Sequence, residues 1–286
     1  MRFGKFELIS LSDGIMRVDG GAMFGVVPRV FWEKTNQPDE KNRISIGVNP
    51  LLIKADGCNI LVDTGNGDKF SEKLLKIYGI ERDTALLESL SDAGLRPEGI
   101  DIVINTHLHF DHCGGNTFVD KSGKLQPTFP NARYIVQKAE WEDATNTNEL
   151  TKASYLPENY MPLMDAGYVD ILDGNIELFP GVTVVMTPGH NRGHQSVKIE
   201  SEGKTAFFLG DMIPTAAHIP LSYIMGYDLY PLELLEVKRK ILREALEGDW
   251  LMIFEHDPET RMGYLKEANG KLTIIPSLSS NKADKY

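Results

Sequence analysis

The segment INTHLHFDHCGG, residues 104–115, places His107, His109 and His112 within six positions around Asp111. Imidazole nitrogen and carboxylate oxygen are the donors that zinc-like ions take in small coordination shells. In an extended turn, side chains two apart project to the same side. His107 and His109 can therefore share an ion while Leu108 points into the core. Asp111 and His112 fall in the following turn and can reach a second centre. Three more apolar runs end in a donor: VTVVMTPGH at His190, TAFFLGD at Asp211 and LMIFEH at His256. A core needs no imidazole at a strand terminus, whereas functional groups gather where loops leave one end of a sheet. The four runs are expected to meet in space.

Five histidines and two aspartates exceed the shell of one tetrahedral ion. The set predicts two divalent ions, with Asp211, the carboxylate among the distal donors, as their bridge. Zinc is the first expectation, and iron, manganese or cobalt would accept the same donors. Such a centre activates water near neutral pH without a Ser or Cys nucleophile. The expected chemistry is attack of a metal-bridging hydroxide on a lactone or ester carbonyl, with Asp111 and Asp211 as the catalytic carboxylates. Asp111 would orient the hydroxide and receive its proton. The other reading within enzymes is a phosphotriester or phosphodiester hydrolase using the same site. A metal-binding protein without catalysis is the rival from another class. A lone histidine is more often structural, so the reading rests on the joint pattern. His194, in GHNRGHQS, is expected to hold the loop around His190 by hydrogen bonds, and His218 is left outside the ligand set.

These donors need elements to position them. DIVINTH reads as a short buried strand, ARYIVQ as a strand and KAEWEDATN as a helix. NPLLIKADGCNILVDTG reads as two strands about a KADGCN turn, and FELISLSDGIMRVDGG as an extended opening segment. GDKFSEKLLKIYGIERDTALLESLSDAGL carries two helical patterns. PLELLEVKRKILREALEG is an amphipathic helix ahead of the strand DWLMIFEHD. The stretch NTNELTKASYLPENYMPLMDAG is less regular and suits a helical insert or lid. Residues 21–32 form a turn-rich loop that is unusually apolar for a linker, which suits a pocket wall. Met23, Phe24, Phe31 and Trp32, with Ile219, Leu221 and Tyr223, are the expected substrate-binding walls. The same loop also suits packing against a second copy in a homodimer. One α/β domain over residues 1–286 is expected.

The chain has 286 residues, a formal net charge of −11 and 42% hydrophobic residues. The acidic balance argues against a nucleic-acid partner, which would call for a basic face. Two cysteines, Cys58 and Cys113, argue against a disulfide framework and for a reducing compartment. The opening residues lack a signal-peptide core, and no apolar run has the length of a membrane span. A cytoplasmic protein acting on a small molecule, with no membrane partner, is the expectation.

With these residues together, the chain resembles the metallo-β-lactamase superfamily. The matching elements are VDTG around Asp63, THLHFDH, TPGH at His190, GD at Asp211 and EHD at His256, in the family's order. The resemblance implies an αββα sandwich with a dinuclear site at one edge of its two sheets. By position, His107, His109 and His190 would bind the first metal and Asp111, His112 and His256 the second, with Asp211 between. Asp63 would be the carboxylate that orients a ligand from behind, although it also suits a turn closing the hairpin. Cys113 follows the motif without a place in the family's ligand set and is read as a small buried residue. The superfamily spans many functions, and the branch this chain looks most like is the N-acyl-homoserine-lactone lactonases and the methyl parathion hydrolase-like enzymes. One departure stands out: lactonases place a Tyr just beyond the bridging Asp, where this chain has Ile213, Pro214 and Thr215. Tyr223 and Tyr227 are the nearby candidates to replace it, each also suited to lining the pocket.

Overall fold

The structure, a computed structural model, describes residues 1–277. The last nine positions of the expected domain, 278–286, lie outside the described residues. Two seven-stranded sheets face each other. The first runs Arg2–Phe3, Phe6–Ser10, Leu51–Ala55, Cys58–Val62, Ile102–Ile104, Arg133–Gln137, Val169–Leu172. The second runs Ile176–Phe179, Val182–Met186, Gln195–Ser201, Lys204–Phe208, Leu251–Ile253, Met262–Ala268, Lys271–Pro276.

Alternation along the strands makes the layers, because successive side chains leave opposite faces. Leu51 and Ile53 point into the space between the sheets, where Val184, Val197, Phe208, Leu251 and Ile253 meet them. Leu52, from the same strand, points outward to Leu86, Leu90 and Leu163. Phe207 and Met252 point outward on the other side, against Leu234, Ile241, Leu242 and Ala245 of the helix Pro231–Glu247. That helix has Pro at its first position, where no backbone hydrogen bond is lost, and buries one stripe of its surface. The result is an αββα sandwich.

Strand direction is what positions the donors. Cys58–Val62, Ile102–Ile104 and Arg133–Gln137 are parallel neighbours, so their C-terminal ends open on one side. Lys204–Phe208 and Leu251–Ile253 are likewise parallel, joined over the long helix. Asp63, the THLHFDH turn, Asp211 and His256 thus all emerge at one edge of the sandwich.

The opening segment departs from its expected course. Residues 11–14 break it, so that Phe6–Ser10 joins the first sheet while Ile15–Asp19 pairs antiparallel with Arg43–Gly47 in a separate ribbon. The loop after it is more ordered than its turn signals suggest. Gly20–Phe24 and Arg29–Trp32 are short helices, the first capped by Asp19, whose Oδ1 accepts from the Ala22 N–H at 2.9 Å. The irregular stretch after the KAEWEDAT helix contains only brief helical turns at Pro157–Asn159 and Met161–Asp165. Among the described residues, no helix is long and apolar enough to cross a membrane.

Candidate metal centre

His107 follows the strand Ile102–Ile104 and is fully buried, as is His112 in the short helix Phe110–Cys113. His190 lies beyond Val182–Met186, and Asp211 and His256 lie beyond their two parallel strands. Two groups of donor atoms converge, each with its members within 4.8 Å of one another: His107, His109 and His190, and Asp111, His112 and His256. Asp211 stands between the groups. Its Oδ2 lies 3.3 Å from His190 Nε2 and 3.9 Å from His107 Nε2, and its Oδ1 lies 3.1 Å from His256 Nε2 and 3.5 Å from His112 Nε2. One carboxylate oxygen faces each group, which is the geometry of a bridge.

These atoms fit a pair of cations better than they fit one another. His109 Nδ1 and His190 Nε2 face each other at 3.1 Å, and so do His112 Nε2 and His256 Nε2. His107 Nε2 and Asp211 Oδ1 are buried without a hydrogen-bond partner, a costly state for polar atoms. Donors are all nitrogen and oxygen, which suits a catalytic site with room for water better than a closed thiolate site. The two clusters are consistent with a dinuclear metal site.

Electrostatics divides the donors. Burial holds His107 and His109 well below the usual imidazole range, so both present lone pairs at neutral pH. Burial opposes the charged form of His112, His190 and His256 too, but there the Asp211 carboxylate prevails and raises all three, His256 to about 9. Asp211 is held well below the carboxylate range by His112, His190 and His256, against the effect of its burial.

A ring of partners orients the ligands from behind. Asp63 Oδ2 lies 3.0 Å from His112 Nδ1, and both Asp63 oxygens accept from Thr106, one from its N–H and one from its hydroxyl, each at 2.7 Å. Asp63 has φ +58°, an unusual conformation for a residue other than glycine, at the point where the strand turns into the site. His194 Nδ1 meets the Thr187 hydroxyl at 2.8 Å, and its Nε2 accepts from the Asp211 N–H at 3.0 Å. Burial drives the His194 pKa to about 3, which keeps that nitrogen an acceptor. The expected tie to the His190 loop is thus a tie from Thr187 to the bridging residue itself.

The geometry is that of a known architecture. A model of the metallo-beta-lactamase superfamily matches residues 46–256. The chain belongs to the metallo-beta-lactamase superfamily. Over 97% of its length the superfamily member described here matches a crystal structure of a probable metal-dependent hydrolase from Staphylococcus aureus, with TM-score 0.88 and 30% identity, covering all of that chain. The dizinc quorum-quenching lactonase AidC matches with TM-score 0.80 at 22% identity, covering 97% of this chain and 96% of that one; at that identity the likeness speaks to the fold alone. An N-acyl homoserine lactonase of Bacillus cereus is 34% identical over 173 residues, 56% of this chain and 61% of that protein. The chain thus spans about three-fifths of the length of the curated relatives it matches.

Above the clusters lies a cavity of about 470 Å³, walled by Met16, Val18, Ile46, Met225, Tyr227 and others, with His109, Asp111, His190, Asp211 and His256 at its floor. Of the seven pocket residues expected from the sequence, Met23 lines this cavity. The others do not. Phe24 is buried behind the wall, stacked on Trp32 at 5.3 Å and on the His218 ring at 4.6 Å, with Tyr223 edge-on to it. Phe31 is 54% exposed. Ile219 and Leu221 pack under the long helix with the outer core. The two short helices cause this, because they turn Phe24 and Trp32 against each other and leave Met23 facing the site. His218 faces neither pocket nor solvent: it is buried, its Nδ1 2.8 Å from the Thr215 hydroxyl and its Nε2 2.9 Å from the Met23 carbonyl.

Sequence reasoning missed three carboxylates. Asp228 Oδ1 lies 2.9 Å from His190 Nδ1, Glu140 Oε1 accepts from the Leu108 N–H at 2.7 Å, and Glu255 is fully buried beside Asp63 and His112. Glu255 stands in the EHD element quoted for His256, and nothing in the local sequence marks Asp228 or Glu140. Sequence reasoning also missed the wall of Met16, Val18 and Ile46, whose one local signal is the alternation of Met16 and Val18 along a strand.

Proposed function

We propose that this protein is a dinuclear hydrolase that opens the lactone or ester bond of a small, neutral, acyl-bearing molecule, with zinc as the metal. The observation that carries the reading is an apolar cavity whose floor is two donor clusters bridged by one carboxylate. His107, His109 and His190 would hold one ion, Asp111, His112 and His256 the other, with Asp211 between. When bound, the ions supply Lewis acidity and activation of water at neutral pH. Asp111, the less buried of the two carboxylates, faces the cavity and would take the proton released as water adds to the carbonyl. Met23, Met225 and their neighbours hold the acyl group and exclude water around the reacting carbon. Among the described residues lining the cavity there is no Lys or Arg to clamp an anion, which favours neutral substrates over a phosphodiester. The similarity to N-acyl homoserine lactonases supports the bond type, and the all-nitrogen and oxygen donor set suits zinc.

The test is hydrolysis of N-acyl homoserine lactones of increasing chain length by zinc-loaded protein beside a chelator-treated control. Chelator-sensitive turnover that rises with chain length is expected. A fully metallated sample that leaves the whole series untouched would remove the lactone reading and direct the search to neutral aryl esters and phosphotriesters.

A further inference from the structure

Four of the five imidazoles in the clusters are oriented through the ring nitrogen turned away from the centre. His107 Nδ1 meets the Thr106 hydroxyl at 3.1 Å, His112 Nδ1 meets Asp63 at 3.0 Å, His190 Nδ1 meets Asp228 at 2.9 Å, and His256 Nδ1 meets the Gly47 carbonyl at 2.8 Å. Such partners set the angle at which a ligand's lone pair is presented. His109 lacks one. Its Nδ1 faces His190, and its Nε2 has no hydrogen-bond partner among the described residues.

What holds His109 is a different device. Glu140 is fully buried in the first turn of the helix Lys138–Thr145. Its Oε1 accepts from the N–H of Leu108, the residue between His107 and His109, at 2.7 Å. Its Oε2 has no partner of good hydrogen-bond geometry, and the Tyr155 hydroxyl is near enough to the carboxylate to draw its pKa down against the larger, opposing effect of burial. The Tyr155 ring stands edge-on to the His109 ring with centroids 4.8 Å apart, and the Tyr155 hydroxyl is 3.4 Å from the Asn191 amide, next to His190. The loop after His190 rests directly on Glu140: a Cβ added to Gly193 would come within 2.1 Å of the Glu140 nitrogen. Glu140 therefore touches both loops that deliver His107, His109 and His190. His112 and His256 are oriented by Asp63 and Gly47, on other elements.

We propose that Glu140 is the positioning residue for His109, fastening the His107–His109 peptide against the His190 loop so that this trio closes on its ion, while the trio of Asp111, His112 and His256 is independent of it. The proposal rests on the dinuclear reading of the site. It is tested on the full chain by loading with Zn²⁺, competing with a chelator of graded affinity and counting Zn²⁺ per chain, with circular dichroism to report folding. Wild type is measured first and should retain two ions; fewer at saturation would overturn the dinuclear reading itself. Glu140→Gln keeps an acceptor for the Leu108 N–H and should also retain two. Glu140→Met should retain one, its affinity for the other falling roughly 10–100-fold. A folded Glu140→Met that holds both ions at wild-type affinity, or loses both in step, overturns the proposal. Should Glu140→Met fail to fold, Tyr155→Leu removes the wall against His109 from outside the helix. Loss of one ion is expected there too, and retention of both at wild-type affinity overturns it.

Discussion

Each donor in the cluster is tuned by how deeply it is buried and by which carboxylate it faces. Burial, reinforced by the neighbouring imidazoles, holds His107 and His109 well below the usual imidazole range, whereas Asp211 raises His112, His190 and His256 above it before metal arrives. An ion must displace the protons that the raised imidazoles hold, so metal affinity is coupled to pH. The sign follows from the raised values. Below about 9 His256 holds a proton in the metal-free protein, so loading at neutral pH should release protons and affinity should rise with pH toward that value. Calorimetric titration with Zn²⁺ in buffers of different ionisation heat measures the release directly. A release of zero at neutral pH would contradict the raised values.

The turns that carry the donors tolerate little change. Gly210, immediately before Asp211, has φ +53°, and a Cβ there would lie 2.7 Å from His194 Nε2, the atom that accepts from the Asp211 N–H. Gly203 has φ +74° at an open hairpin turn, with nothing within 4 Å of an added Cβ. Gly203→Ala should therefore cost about 1–2 kcal/mol, the penalty of left-handed backbone for an L-residue. Gly210→Ala incurs that penalty and also displaces His194, so it should cost more and weaken metal retention as well. Denaturant unfolding of the two variants, with zinc content alongside, makes the comparison. Equal losses of stability and unchanged zinc would show that the bridging turn has slack.

Across the whole molecule, charge and cavity act in the same direction. The chain carries a net charge of −11, and among the described residues lining the cavity there is no Lys or Arg. An acidic surface repels anions over about 8–10 Å at ordinary ionic strength. Turnover of a neutral lactone should be nearly independent of salt, while an analogue bearing a carboxylate on its acyl tail should turn over poorly at low salt and improve as salt rises. Rates for the pair across a sodium chloride series test this. A neutral substrate that shows the steeper salt dependence would refute it.

Donor identity was legible because metal chemistry leaves few residue types to choose from, and four apolar runs each ending in His or Asp are not what packing produces. The strands were legible from alternation, and the long helix from its stripe and its terminal Pro and Gly. The bridge could be named from Asp211 being the carboxylate among the distal donors. Only the tertiary structure decided which side chains wall the cavity. Phe24 and Trp32 have the composition of pocket residues, yet they stack on each other and Phe24 stacks on His218, because two short helices turn them inward. Asp228 and Glu140 were invisible for the same kind of reason, and the burial of Glu255 beside Asp63 and His112 was too. A carboxylate next to a metal site differs from a surface one only in where the chain places it, and that placement depends on contacts between residues such as Leu108 and Glu140, 32 positions apart.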